Sequence, residues 1–355
     1  MRVLLTKASF LFFFSGFFIV GCNKTKNNSV SVNSTEISHE EKVFNNCLEN
    51  LNKDVEKLIT QTNSNYTLID GPNAVVAPHK STRFLKGKFD KGAVLVFHGI
   101  LSTPDDVSKL TEQLNAQGFT VLAPLMTGFG STIKVANSSR LALWQRNVDL
   151  HYVLLSKCFD HIALAGFSMG GGLSTDFILN RYPSYQKEKG FAQISSLLLL
   201  SPAIMPSEWF PRVKAAVTLP FTDAVPFWLI SKLKDDPEIK EMMKEPQKYN
   251  QYFPVHVGLS LVDLADTLEK SPERFDTHSL HVSLDYSQSD TATDWVKTRE
   301  FLTDRFFDVR IFSYTKTQNV PHSLFLNADS DIGHQIRSGM VRFVNWYMQK
   351  SIHDH

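Results

Sequence analysis

The stretch HIALAGFSMGGG, His161 to Gly172, decides how this chain is read. Ile162 to Ala165 is a short apolar run of the kind that forms a buried strand, and Gly171 to Leu179 continues as a helix. Between them, Gly166-Phe167-Ser168-Met169-Gly170 fits G-x-S-x-G, a strand turning sharply into a helix around one serine. Such a turn strains the serine backbone, and side chains two residues away on either side would collide with it, so glycines stand there. The helix behind the turn aims its amide groups and positive dipole end at the serine, where acyl transfer develops negative charge.

Working outward, apolar strands and helices alternate. Ala93 to Phe97 reads as a buried strand, Pro104 to Ala116 as a helix closed by Gly118, and Phe119 to Pro124 as the next strand. Ser138 to Lys157 is an amphipathic helix ahead of the elbow, and Ile194 to Leu200 is another strand beyond it. Near-continuous apolar strands separated by helices predict an α/β fold, a mostly parallel sheet covered on both faces. The rhythm stops over residues 204–278 and resumes with a strand at Leu280 to Tyr286, a helix at Thr293 to Leu302, a strand at Asp308 to Tyr314 and a helix from Asp331 to Met348. The interruption reads as a helical cap (lid) inserted before the last two strands. Its segment Ser207 to Leu233 concentrates Trp209, Phe210, Phe221, Phe227 and Trp228, which suit a cap core, an acyl-binding wall or a membrane contact.

The N-terminus has a different character. Arg2 and Lys7 precede a 13-residue, mainly apolar stretch, Ala8 to Val20, which falls short of a bilayer span. Residues 1–21 read as a signal peptide, and 22–64 as a polar tether followed by a helix from Glu40 to Gln61. That helix carries Val43, Phe44, Cys47, Leu48, Leu51, Val55 and Leu58 on one side, a face for packing on the domain. Asn65 to Gly92 reads as a short β segment with turns, so residues 65–203 and 279–355 compose the catalytic domain. With 37 basic against 36 acidic residues and no basic run, nothing electrostatic favours nucleic acid. Of three cysteines, Cys47 and Cys158 are candidates for a disulfide in an oxidising compartment. No histidine shows metal-ligand spacing, and no metal or organic cofactor is implied.

A serine hydroxyl needs a base, and the base an acid that fixes its tautomer. Behind the strand LHVSLDYS lies Asp290, and behind the strand VRIFSY lies His322, both in loops at carboxyl strand ends. Asp285, within a strand, and Asp294, at a helix start, are weaker candidates for the acid; His334, inside the last helix, is the rival base. Two amide donors should meet the oxyanion: Met169, directly after the serine, and Ile100, in the loop Phe97-His98-Gly99-Ile100-Leu101, which His98 would brace.

HGILST, GFTVLAP, Trp144, GFSMGG, SPA, SQSD and VPHS together resemble the α/β-hydrolase superfamily, over roughly Gly92 to Met348. The chain is most similar there to bacterial carboxylesterase and monoacylglycerol-lipase-like enzymes. The resemblance implies the α/β-hydrolase fold, the triad Ser168, Asp290 and His322, and the oxyanion amides of Ile100 and Met169. It implies an ester or lipid as the small-molecule substrate, cleaved through an acyl-enzyme; because an unperturbed histidine titrates near 6.5, activity is expected to fall on the acid side around pH 6 to 7. One departure stands out: Gly128-Phe129-Gly130 replaces the usual Gly-His-Gly, which implies a more apolar pocket rim. The N-terminus resembles a bacterial lipoprotein signal with a lipobox at Ile19 to Cys22. That resemblance implies acylation of Cys22, a membrane anchor and a place in the cell envelope, at the outer membrane or its periplasmic face. The same triad would serve a thioesterase, acyltransferase or amidase, and the fold without chemistry would serve a lipid-binding lipoprotein.

Overall fold

The computed structural model describes residues 38–88, 91–205, 224–226, 252–272, 275 and 280–353. Cys22 and the expected signal segment and tether up to residue 37 lie outside the described residues, as does most of the expected cap segment, including Trp209, Phe210, Phe221, Phe227 and Trp228.

In chain order the helices are α1 (His39–Asp70), α2 (Ser108–Ala116), α3 (Ile133–Ala136), α4 (Leu141–Ser156), α5 (Met169–Asp176), α6 (Tyr182–Gln186), α7 (Val255–Glu269), α8 (Trp295–Arg305) and α9 (Asp331–His353). The strands are β1 (Arg83–Leu85), β2 (Ala93–Phe97), β3 (Thr120–Ala123), β4 (His161–Phe167), β5 (Gln193–Leu200), β6 (Ala224–Pro226), β7 (Tyr252–Pro254), β8 (His281–Ser287) and β9 (Asp308–Tyr314). Seven of them form one sheet in the order β1-β3-β2-β4-β5-β8-β9, while β6 and β7 pair separately. Only β1 runs antiparallel to its neighbour in the large sheet. The fold is therefore the α/β-hydrolase fold, a mostly parallel sheet flanked by helices.

Side chains alternate across each strand, and in the central strands β2, β3, β4, β5 and β8 both sets are largely buried, whereas the edge strand β9 exposes Ile311 and Phe312. Ala93, Leu95 and Phe97 join one core cluster with Ile162, Leu164, Leu197 and Leu199. Val94 and Val96 join the other, with Ala163, Ala165, Leu198 and Leu200 under α2 and α9. At about 1.5–3 kcal/mol for each fully buried aliphatic side chain, these central strands fix the register that presents Ser168 at a strand end.

Two features differ from the sequence reading. Residues 65–70 are helical, continuing α1 to Asp70, because the Asp70-Gly71 pair is a helix stop with Gly71 at φ 73° rather than a hairpin turn. Val43 faces solvent, while Phe44, Leu48, Leu51, Val55 and Tyr66 form the buried stripe of α1. A disulfide joins Cys47 in α1 to Cys158 just beyond α4, with the Phe44 and Phe159 rings edge-to-face beside it.

Candidate active site

Ser168 holds φ 52° and ψ −116°, a conformation that costs an L-residue of order 1–3 kcal/mol. The surroundings over-determine it. Its N–H donates to the Leu200 carbonyl at 2.9 Å, and its own carbonyl accepts from Ala203 at 2.8 Å and from Gly171 and Gly172 of α5. The flanking glycines are required by space: a Cβ on Gly166 would lie 2.4 Å from the Gly170 carbonyl oxygen, and one on Gly170 would lie 2.4 Å from the Phe97 carbonyl oxygen.

The loop behind β2 approaches the elbow just as closely. A Cβ on Gly99 would meet the Phe167 ring at 2.9 Å and Ser168 Cβ at 3.3 Å. His98 fixes this loop. It is fully buried, its Nε2 accepts the Met126 N–H at 3.0 Å, and its Nδ1–H donates to the Gly99 carbonyl at 2.8 Å. Burial lowers its pKa to about 4, so the ring is neutral and this tautomer is the one both bonds demand. In a trans peptide the C=O and N–H point oppositely, so drawing the Gly99 carbonyl toward the imidazole turns the Ile100 N–H the other way. Leu101 follows at φ 52°, and Asp106 closes the turn by accepting from Thr103 N–H (2.9 Å) and Ser102 Oγ (3.0 Å).

Asp290 and His322 come together although 32 residues separate them: His322 Nδ1 donates to Asp290 Oδ2 at 2.7 Å. The carboxylate also accepts from Ala292 N–H (2.7 Å) and Thr293 Oγ1 (2.7 Å). Burial pushes the Asp290 carboxyl up, but the His322 charge and hydrogen bond, with those of Thr293 and Ala292, outweigh it and leave the group below its ordinary value. Since Nδ1 carries the proton, Nε2 is the basic nitrogen. The imidazole lies against the elbow, with ring centroids of His322 and Phe167 5.2 Å apart.

The rivals are elsewhere. Asp294 caps α8, accepting from Lys297 N–H at 3.1 Å. His334 sits in α9 beside the Gln113 amide. Asp285 is buried in β8 and bonded to Ser283 and Tyr314. No group of three His, Cys, Asp or Glu placed to hold a metal occurs among the described residues, and no described helix is long and apolar enough to cross a membrane.

Two residues escaped the sequence reading. Arg337 of α9 is fully buried, and its Nη1 donates to the Phe325 (2.6 Å) and Ala328 (2.9 Å) carbonyls. It thereby braces the turn after His322, where Leu324 and Phe325 both hold φ 52°. Tyr66 of α1 accepts the Gly128 N–H at 2.6 Å in the loop after β3. Phe129, in the place of the usual histidine, is buried at the lining of the pocket in this region. It stacks on Trp144 and meets His98 edge-on, each at 5.7 Å between centroids. A pocket of about 110 Å³ opens beside the loop after β2, lined by the charged Lys80, Asp105 and Asp106 as well as by Leu101, Phe129 and Ile133.

Residues 89–316, well over half of the chain, match the family described as serine aminopeptidase, S33. Among solved structures, one of the metagenome-derived lipolytic enzymes LipS and LipT is 18% identical with a TM-score of 0.59, covering 76% of this chain and 98% of its own. A monoacylglycerol lipase of Paleococcus ferrophilus is 19% identical with a TM-score of 0.55, covering 75% and 98%. A soluble variant of the Saccharomyces cerevisiae monoglyceride lipase, in complex with a substrate analog, is 15% identical with a TM-score of 0.59, covering 75% and 91%. At these identities the likeness is one of fold. No curated protein matches the chain.

Proposed function

The chain belongs to the serine aminopeptidase S33 family of hydrolases, and from that premise we propose that it cleaves carboxylic esters with apolar acyl groups through an acyl-enzyme. Ser168 is the nucleophile, His322 the base, Asp290 the group that orients it, and the amides of Ile100 and Met169 the oxyanion donors. His322 Nε2 takes the hydroxyl proton as Ser168 Oγ bonds to the ester carbon. The tetrahedral intermediate collapses, the C–O bond to the alcohol breaks, and the proton passes from His322 to the departing oxygen. Water, deprotonated by the same nitrogen, then attacks the acyl-serine and releases the acid.

The observation that carries this reading is the 2.7 Å bond from His322 to Asp290, held against a serine elbow that the sheet forces to be strained. The lipolytic enzyme and the two lipases of like fold favour esters over amides. The family's own name favours the amide reading, so both substrates belong in the test. We further propose that residues 204–278 cap the site. The chain is held in the cell envelope by acylation at Cys22, which would bring the enzyme to lipid esters.

A fluorophosphonate probe should label wild-type protein at Ser168, and Ser168→Ala should lose the label and several orders of magnitude in turnover of p-nitrophenyl esters. Near-normal ester hydrolysis in that variant refutes the assignment. Faster turnover of amino-acid p-nitroanilides than of the matching esters moves the function to peptide bonds.

A further inference from the structure

Asp290 and His322 stand in separate loops, and one side chain is bonded to both loops. Ser287 is the last residue of β8 and is fully buried. Its backbone belongs to the sheet, in register with Tyr314 of β9, and the next amide, Gln288 N–H, donates to the Tyr314 carbonyl at 2.8 Å. From this fixed point it reaches into the acid loop: its Oγ accepts the Ser289 N–H at 3.1 Å, and its carbonyl accepts the Asp290 N–H at 3.1 Å. The same hydroxyl donates to the Val320 carbonyl at 2.5 Å, in the base loop. Residues 315–319 are exposed, and the loop turns inward at Val320, which is fully buried. Pro321, with φ fixed by its ring, is all that separates Val320 from His322, and its carbonyl accepts the Leu324 N–H at 3.0 Å. Few free torsions therefore lie between the anchored Val320 carbonyl and the imidazole.

We infer that Ser287 is a positioning residue for the proposed triad: its hydroxyl couples the loop of Asp290 to the loop of His322 and so sets where the imidazole meets the serine elbow. The inference rests on the triad chemistry proposed above. Asp290 is also held by its own turn, through Ala292 and Thr293, so the carboxylate keeps its place when the Ser287 hydroxyl is removed. The buried Val320 carbonyl then loses its donor, and a buried carbonyl that must pair finds another by moving, taking the base loop with it. A displacement of about 1 Å costs on the order of 10²-fold in rate, so the loss falls on kcat rather than on substrate binding.

The test is Ser287→Ala on p-nitrophenyl acetate, with turnover expressed per serine titrated to completion by a fluorophosphonate, so that unfolded enzyme drops out. On that basis kcat should fall at least about tenfold with KM within about threefold. Ser283→Ala removes an equally buried hydroxyl from the same strand, one bonded at 2.9 Å to Asp285 rather than to either loop, and its kcat should stay within about threefold of wild type. A smaller fall in Ser287→Ala overturns the proposal, and so does an equal fall in Ser283→Ala or a loss confined to KM. If Ser287→Ala does not fold, Ser287→Cys places a weaker donor at the same point and should lose more than about threefold in kcat; a smaller loss there overturns the proposal equally. Fluorophosphonate labelling of the wild type separates the two failures: without it the triad chemistry itself falls, and with it an unaffected Ser287→Ala condemns the positioning role alone.

Discussion

Replacing Asp285 by Asn tests the burial physics at a group the proposed chemistry does not use. The carboxyl is 3% exposed in β8; Oδ2 accepts from Ser283 Oγ at 2.9 Å and Oδ1 from Tyr314 OH at 3.2 Å. Burial raises its pKa to about 7, the two hydroxyls offsetting only part of the effect. Between pH 3.8 and 7 the folded chain therefore keeps a proton that the unfolded chain has released. The contribution of this group to stability is whole below pH 3.8 and is lost as pH rises through 7, about 4 kcal/mol in all at 1.36 kcal/mol per pH unit. His98 and His151 act with the opposite sign. Burial lowers both to about 4, so stability is whole above pH 6.5 and drains as pH falls toward 4. Taken by themselves, these three groups, two protons against one, contribute a loss of about 1.4 kcal/mol per pH unit on acidification across that window. In Asp285→Asn the opposing proton is gone, so the slope is steeper than that of the wild type by about 1.4 kcal/mol per pH unit. The Asn amide must find acceptors by rotating the Ser283 and Tyr314 hydroxyls, at a cost of about 1–3 kcal/mol, so the net gain at pH 8 is about 1–3 kcal/mol. Relative to wild type, that gain should shrink by roughly 3 kcal/mol between pH 8 and pH 5. Urea unfolding at pH 5, 6.5 and 8 measures it. A variant less stable than wild type at pH 8, or a difference that does not move with pH, refutes the reasoning.

Two further expectations follow from the geometry. His98→Phe orphans the Gly99 carbonyl and the Met126 N–H and frees the peptide that aims Ile100, so kcat should fall about 10²–10³-fold, as for loss of an oxyanion donor; stopped-flow turnover within threefold of wild type would remove His98 from the site's support. The Cys47–Cys158 bridge spans a sequence separation of 111, for which chain-entropy arguments give at most about 5 kcal/mol. The Cys47→Ser/Cys158→Ser double variant should therefore melt several degrees lower in calorimetry, and an unchanged Tm would mean the α1 packing suffices without it.

What was legible in the sequence follows from how local each signal is. The elbow could be read because its glycines sit within two residues of Ser168 and answer a local crowding. Asp290 and His322 could be read because a parallel sheet puts every strand's carboxyl end on one edge, so sequence order alone narrows the candidates. The Tyr66 bond joins residues 62 apart, and the Arg337 brace joins side chain to backbone; neither leaves a motif. The Tyr66 bond did leave a weaker trace, and so did Asp285. The buried stripe Phe44, Leu48, Leu51, Val55 recurs at spacings of three and four, and the same spacing lands on Tyr66, five residues past Gln61. Asp285 occupies the second of three alternate positions, Ser283, Asp285 and Ser287, on a strand buried on both faces. A polar side chain at a position the period assigns to the core is usually bonded to something, although Ser196 of β5 is not, and three such bonds lead to a loop or strand beside the site. Asp285 meets Tyr314 at the end of β9, Ser287 meets the Val320 carbonyl two residues before His322, and Tyr66 meets the pocket wall. The period therefore carried information about the site's supports as well as about the core, in the places where it was broken by a polar group.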